Sequence, residues 1–353
     1  MTRFSMKHSV LAGIASALCL MTGTVQADQD YNYGSYPCEP CETCPDRCFS
    51  TCCEDDQCGL FVGSDLLFWT ACQKNLNCVI TSTVTSEGPV ATEFNRHVVD
   101  YDWTVGYRIF GGYRMGVDNW EIAAVFTHWD NDASGTIIDF DGATIDANRH
   151  CKVELDYDVI DILLARSYQL GCDSQLKPFI GFRGVWLDQD WKSTEQLTTP
   201  QVPLREFHSS LFARGLHAGS TFQWDGCEGF GLWATVGASL LEADVHNKQE
   251  VNFQPTNPPS ATSTLKEKYC LPFVGYNLGF GIDYECCFFG CEGETIIRLG
   301  LGYEFQNWFS TPEPVRDFID VDVATPDIDA VHGVSTGGAL MLHGVTFRVG
   351  YYF

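Results

Sequence analysis

From Gly338 to Phe353 the chain closes on a segment whose two faces differ. Reading back from Phe353, every second residue is apolar: Tyr351, Val349, Phe347 and Val345. Between them stand Tyr352, Gly350, Arg348, Thr346 and Gly344. Successive side chains of a strand point to opposite sides, so this is an apolar wall backed by a wetter one. A soluble sheet edge also carries such a pattern. The choice between the two rests on the rest of the chain.

The other end carries an export signal. Arg3 and Lys7 precede an apolar run from Val10 to Met21, and Val25 and Ala27 occupy the small-residue positions of a cleavage site. Cleavage is expected after Ala27. The run is too short to span a bilayer as a helix, which takes about 20 apolar residues. Ser16-Ala17-Leu18 before Cys19 is a poor lipoprotein signal, so Cys19 belongs to the discarded segment. No later stretch approaches spanning length, so membrane insertion would have to use strands. An export signal together with an aromatic-terminated strand resembles a bacterial outer-membrane barrel.

Ten segments read as strands of spanning length, near residues 59–70, 101–116, 118–130, 152–169, 176–190, 205–224, 230–246, 270–285, 295–309 and 338–353. Ile297, Leu299, Leu301, Tyr303 and Phe305, for example, oppose Arg298, Gly300, Gly302, Glu304 and Gln306. Short turns follow every even strand, around Val117, Gly171–Gln175, Asp225–Gly229 and Cys286–Glu294. Longer polar connections follow the odd ones: Ala71–Asp100, Asn131–His150, Trp191–Leu204, Asn247–Tyr269 and Ser310–Gly337. Short periplasmic turns and long external loops are the outer-membrane pattern, and they put both ends of the mature chain in the periplasm. The expected fold is all-β, a transmembrane antiparallel β-barrel of about ten strands. Thr81–Thr85 and Phe94–Val99 would raise the count to twelve. Residues 1–27 form the signal, 28–58 a cysteine-rich periplasmic segment and 59–353 the barrel. Trp69, Trp103, Trp120, Trp129, Trp186, Trp191 and Trp308, near strand ends, read as interfacial girdles or as core.

Charges of both signs occupy the faces opposite the apolar ones: Arg108, Arg114, Arg183, Arg298 and Arg348 against Glu121, Asp161, Asp283 and Glu304. They are the candidate pore-lining residues, able to select solutes by size and charge. Paired charges filling a narrow barrel would look the same. Removing Arg3 and Lys7 with the signal leaves 19 basic against 46 acidic side chains, a charge of −27. Such a chain is no nucleic-acid binder. Its acidity favours cations at a pore mouth, or simply a solvated surface.

Sixteen cysteines remain after cleavage. Cys38, Cys41, Cys44, Cys48, Cys52, Cys53 and Cys58 precede the first strand; Cys172, Cys227, Cys286, Cys287 and Cys291 sit at inner turns; Cys72, Cys78, Cys151 and Cys270 fall at outer strand ends. The spacing from Cys38 to Cys48 matches an iron–sulfur run, but Phe49 replaces its proline and the chain is exported to an oxidising compartment. No His pair has zinc-finger spacing. The expectation is disulfides, within or between molecules, with no metal and no cofactor.

An enzymatic alternative rests on Asp130-Asn131-Asp132 and Asp244-Val245-His246, whose positions in outer loops are similar to the layout of omptin proteases. Asp-x-Asp and Asp-x-His are common in so acidic a chain, and the expectation is that this is not an enzyme.

The segments Gly59-Leu60-Phe61-Val62-Gly63-Ser64-Asp65-Leu66-Leu67-Phe68-Trp69 and Phe212-Ala213-Arg214-Gly215-Leu216-His217-Ala218-Gly219 carry a family resemblance, with Trp224 and Leu232–Leu241 behind them. Gly302-Tyr303-Glu304-Phe305-Gln306-Asn307-Trp308 and the last strand complete it. In their order, the chain resembles the Legionella-type pore-forming outer-membrane proteins and their chlamydial major-outer-membrane-protein-like relatives. That resemblance implies an outer-membrane porin for small hydrophilic solutes, with cysteine-rich versions stiffened by disulfides. The chlamydial porin is a wider barrel than ten strands make. The expected surroundings are outer-membrane lipid and lipopolysaccharide, with disulfide partners among copies of itself or other cysteine-rich envelope proteins. The alternative is a non-conducting structural protein held by such cross-links.

Overall fold

The computed structural model describes residues 59–73, 77–84, 92–98, 100–116, 118–141, 144–171, 173–196, 202–226, 229–253, 261–290, 293–312, 318–321, 328–331 and 338–353. The signal and the cysteine-rich segment lie outside them. Ten long strands run β1 Gly59–Gln73, β2 Thr104–Arg114, β3 Trp120–Asp141, β4 Thr144–Arg166, β5 Ser174–Gln196, β6 Val202–Asp225, β7 Phe230–Phe253, β8 Ala261–Gly290, β9 Gly293–Thr311 and β10 Gly338–Tyr352. Each pairs antiparallel with its sequence neighbour, and β1 pairs with β10, which closes the sheet into a ten-stranded barrel. Closure leaves no open sheet edge, the condition for a sheet in lipid. The last strand contributes most directly: Val62 lies opposite Tyr351 and Leu66 opposite Phe347, so the apolar faces of β1 and β10 join on the outside. Gly59 and Phe353 meet at one end, where the Phe353 amide donates to the Leu60 carbonyl at 2.9 Å. That end is called near and the other far. At the near end the β2–β3 turn places Asp118 (φ 62°) and Asn119 (φ 53°) in the left-handed region, which Asp and Asn tolerate.

The wall inverts its polarity along its height. In the near half Leu66, Ile109, Ile162, Phe182, Leu240, Phe280 and Phe347 face outward and are exposed, as the apolar alternation requires of a lipid-facing surface. Farther along the same strands the outward residues become charged: His128 and Asp130 follow Phe126 on β3, Asp158 and Asp156 follow Ile160 on β4, and Glu242 and Asp244 follow Leu240 on β7. Inside, the order reverses. The near half holds charge, whereas the far half holds a fully buried apolar core with Trp129, Leu155, Tyr157, Phe207, Leu211 and Leu342. Each half turns its apolar face toward the apolar medium available to it: lipid outside the near half, other side chains inside the far half.

This inversion corrects the expected loops. Much of Asn131–His150, Trp191–Leu204 and Asn247–Tyr269 is strand, so the barrel wall continues beyond the apolar belt. A reading that follows one apolar face stops where that face changes sides. Ten barrel strands, not twelve, are present. The suspected extra pair does form, as Asn77–Val84 against Thr92–Val98, but as its own two-stranded sheet. Trp69, Trp129, Trp191 and Trp308 are buried inside rather than in a girdle, because their register puts them on the inner face. Trp103 alone of the seven stands clearly exposed on the outside.

Candidate functional site

All nine sequence-identified charged residues belong to the inner faces of their strands, and each has an opposite charge nearby. The largest network joins four neighbouring strands. Asp65 on β1, its side chain fully buried, accepts from Arg108 Nη1 at 2.9 Å and from Arg348 Nε and Nη2 at 2.9 Å each. Arg108 also forks onto Glu304, at 2.9 and 2.8 Å, and donates to Thr127 at 3.1 Å. Two cations and two carboxylates thus balance, with planar guanidinium forks fixing the geometry.

Across the interior Arg183 forks onto Asp161 at 2.6 and 2.8 Å and donates to Ser239 at 3.1 Å. The His217 ring lies 3.0 Å from that hydroxyl. Nearer the barrel's end Arg298 pairs with Glu285, reaches Asp283 at 3.5 Å and donates to Gln223 at 3.0 Å. Glu121 meets Lys177 at 3.3 Å and Arg114 at 3.7 Å. Between these groups lies a cavity of about 270 Å³, lined by Arg108, Arg183, Arg298 and Arg348 with Asp161, Asp283 and Glu304.

The cavity is shaped by glycines as much as by charge. The Trp233 indole lies on the β8–β9 wall, and Arg348 stacks over it at 5.4 Å. A Cβ on Gly302 would come within 2.3 Å of the Trp233 ring. Gly302→Val is therefore expected to displace Trp233 and lower stability by about 1–3 kcal/mol, the usual effect of overpacking. A shifted tryptophan emission together with a lowered unfolding midpoint would check it.

Toward the far half an apolar layer closes over this chamber. Trp69 faces Arg108 at 5.6 Å on one side and belongs to the buried cluster on the other. Trp308 stacks on Phe273 with ring centres 4.8 Å apart, and its Nε1 donates to Tyr157 Oη at 3.1 Å. That hydroxyl in turn donates to Gln306 at 2.6 Å. β4 and β9 are five strands apart in a ring of ten, so this bridge crosses the full width of the barrel. Gln73 and Gln189 join β1 to β5 in a second crossing, Gln73 Nε2 donating to Gln189 Oε1 at 3.3 Å and Gln189 Nε2 to Gln73 Oε1 at 2.9 Å. Among the described residues, side chains thus meet across the interior at this level, a question the sequence left open. A ten-stranded barrel is only slightly wider than the eight-stranded kind that side chains fill.

Sequence reasoning missed Asp65, Glu285, Lys177, His217 and Trp233. Asp65 was hidden because β1 is apolar on both faces around it, with Leu66 and Phe68 outside and Leu67 and Trp69 inside. Its signal was parity: in an antiparallel ladder Asp65 stands level with both Arg108 and Arg348.

The four residues of the protease alternative do not converge. Asp130 and Asp132 on β3, and Asp244 and His246 on β7, occupy outward positions on strands four apart. Among the described residues no three His, Cys, Asp or Glu side chains come together in a way that could hold a metal. Cys72, Cys270 and Cys286 are free thiols, the first two exposed on the outer face. Cys270 donates to Asp244 at 3.1 Å, and that carboxylate holds its thiol above the usual range. Cys151 is fully buried and disulfide-bonded. The other thirteen cysteines, Cys19 of the signal included, lie outside the residues whose side chains are described.

Compared with known protein families, residues 53–347 match the model described as Legionella pneumophila major outer membrane protein precursor. Compared with curated proteins, the sequence has no match. Among solved structures it is similar to the outer membrane protease OmpT from Escherichia coli, at 9% identity and a TM-score of 0.43, covering 84% of this chain and 96% of that one. A Pseudomonas aeruginosa FadL homologue gives 9% identity and 0.29, with 84% and 90% covered. The CymD monoaromatic hydrocarbon channel gives 10% identity and 0.28, with 84% and 88% covered.

Proposed function

Because the chain belongs to the Legionella pneumophila major outer membrane protein family, we propose that it is a narrow outer-membrane diffusion channel in which the far-half layer acts as the barrier. It would pass small hydrophilic solutes, with cations preferred. In this reading the near end, with both barrel termini, faces the periplasm and the charged chamber opens toward it. The observation that carries the proposal is the ring of paired charges around a cavity of about 270 Å³. Burying so many ions is no route to stability, since apolar residues of similar volume serve as well or better. The far half of the same barrel is filled that way. Retained charge around free volume supports a role in handling polar solutes. The excess of acidic residues supports the preference for cations.

A second reading is favoured by the Tyr157–Trp308 bridge: a permanently closed barrel that supports the envelope mechanically. The exposed thiols of Cys72 and Cys270 would suit cross-links to neighbouring molecules in either case. Single-channel recording of the refolded full chain in planar bilayers separates the readings. The channel predicts small, intermittent, ohmic steps whose reversal potential in a salt gradient favours cations. Silence from a barrel verified as folded would leave the structural role.

A further inference from the structure

A basic patch on the outer wall has no use inside a channel. His246 and Lys248 on β7 stand directly opposite Lys268 and Lys266 on β8, and all four are exposed on the outward face. Directly opposed residues have Cβ atoms about 4.5–5.5 Å apart, and two lysines so placed, Lys248 and Lys266, repel each other. The chain has only 21 Lys and Arg against 46 Asp and Glu, so three lysines and a histidine in one square run against its composition. Glu250 lies 2.7 Å from Lys248, but Lys248 is exposed and Glu250 half-buried at the surface, and such a solvent-accessible pair contributes little.

From this we infer that the patch binds phosphate groups on the extended sugar head of lipopolysaccharide in the outer leaflet. Height selects that ligand. The last apolar outward pair on these strands is Leu240 and Val274. A strand rises about 3.3 Å per residue and tilts by about 40°, giving about 2.5 Å of height per residue. His246 and Lys268 are thus about 15 Å above the apolar edge, and Lys248 and Lys266 about 20 Å. The head-group region of an ordinary phospholipid is only about 5–8 Å deep. A phosphorylated oligosaccharide reaches the patch and a phospholipid head group does not. The acidic row Asp130, Asp156 and Asp188 on β3–β5 would repel the same phosphates, as would Glu242 and Asp244 below the patch on β7, so the contact is confined to the square of His246, Lys248, Lys266 and Lys268. The inference requires the far end to face outward and does not depend on whether the barrel conducts.

The test uses the folded full chain in detergent and a variant combining Lys248→Gln, Lys266→Gln and Lys268→Gln. Probes are rough lipopolysaccharide with a phosphorylated core, the same material after chemical dephosphorylation, and phosphatidylglycerol vesicles. Each lysine near a charged lipid surface contributes roughly fivefold in affinity, so binding of the phosphorylated form should weaken at least about tenfold. Both proteins should bind the dephosphorylated form alike, and Lys→Arg at the same three positions should keep wild-type binding. For the wild type alone, binding should fall as salt rises. Equal binding by wild type and the Gln variant would overturn the inference. So would an equal loss on phosphatidylglycerol, which would point to ordinary head groups. Wild-type self-association in lipid-free detergent that the Gln variant abolishes would make the patch an interface between copies instead.

Discussion

Asp65→Asn is expected to destabilise the barrel by about 3–5 kcal/mol, as removal of one partner from a buried ionic network does. Asp65 is the only carboxylate held by both Arg108 and Arg348 in the described network, and its side chain is inaccessible to solvent. The asparagine keeps the shape but leaves two guanidinium groups facing one carboxylate, Glu304. The unfolding midpoint in denaturant, measured on protein refolded into lipid vesicles, should drop accordingly. A paired control assigns the cause. Asp65→Leu with Arg348→Leu leaves Arg108 and Glu304 as a balanced pair, and should recover most of the loss. If the double variant is no more stable than the single one, lost packing rather than unbalanced charge is responsible.

Trp308→Ala should have the largest effect on permeation. Trp308 carries the stack on Phe273 and one end of the bond that crosses the barrel to Tyr157. Its truncation removes an indole that reaches across the closing layer, at a stability cost of about 3–5 kcal/mol. Water can then enter between the charged chamber and the far half, so the variant should show larger and longer openings than the wild type. Tyr157→Phe is the discriminating partner, because it breaks the hydrogen bonds while keeping the ring. It should cost only about 1 kcal/mol and leave conductance near wild type if apolar filling, not the bond, is the barrier. Unchanged conductance in folded Trp308→Ala protein would show that this layer does not limit flow.

How much could be read in advance differs between the two halves. All ten strands were legible where lipid is the outer medium, since alternation of the Ile297–Phe305 kind needs only local periodicity. The nine paired charges were legible for the same reason. In the far half the same period persisted with its faces exchanged: Val153, Leu155 and Tyr157 turn inward where Ile160 and Ile162 below had turned outward. A pattern that changes phase looks like a strand that stops. Hence local pattern stops short of the far wall and leaves girdle and core both open for the four buried tryptophans.

The sequence by itself determined that the chain forms strands of a closed barrel and which face of each meets lipid in the near half. Those properties follow from side-chain period and from the need to satisfy every backbone polar group within the membrane. Only the tertiary structure decided what occupies the interior. Whether Asp65 meets two arginines, and whether Tyr157 reaches Trp308 across the barrel, depends on closure, which brings residues 283 and 151 positions apart within bonding distance. Strand periodicity is local, whereas closure is a property of all ten strands together.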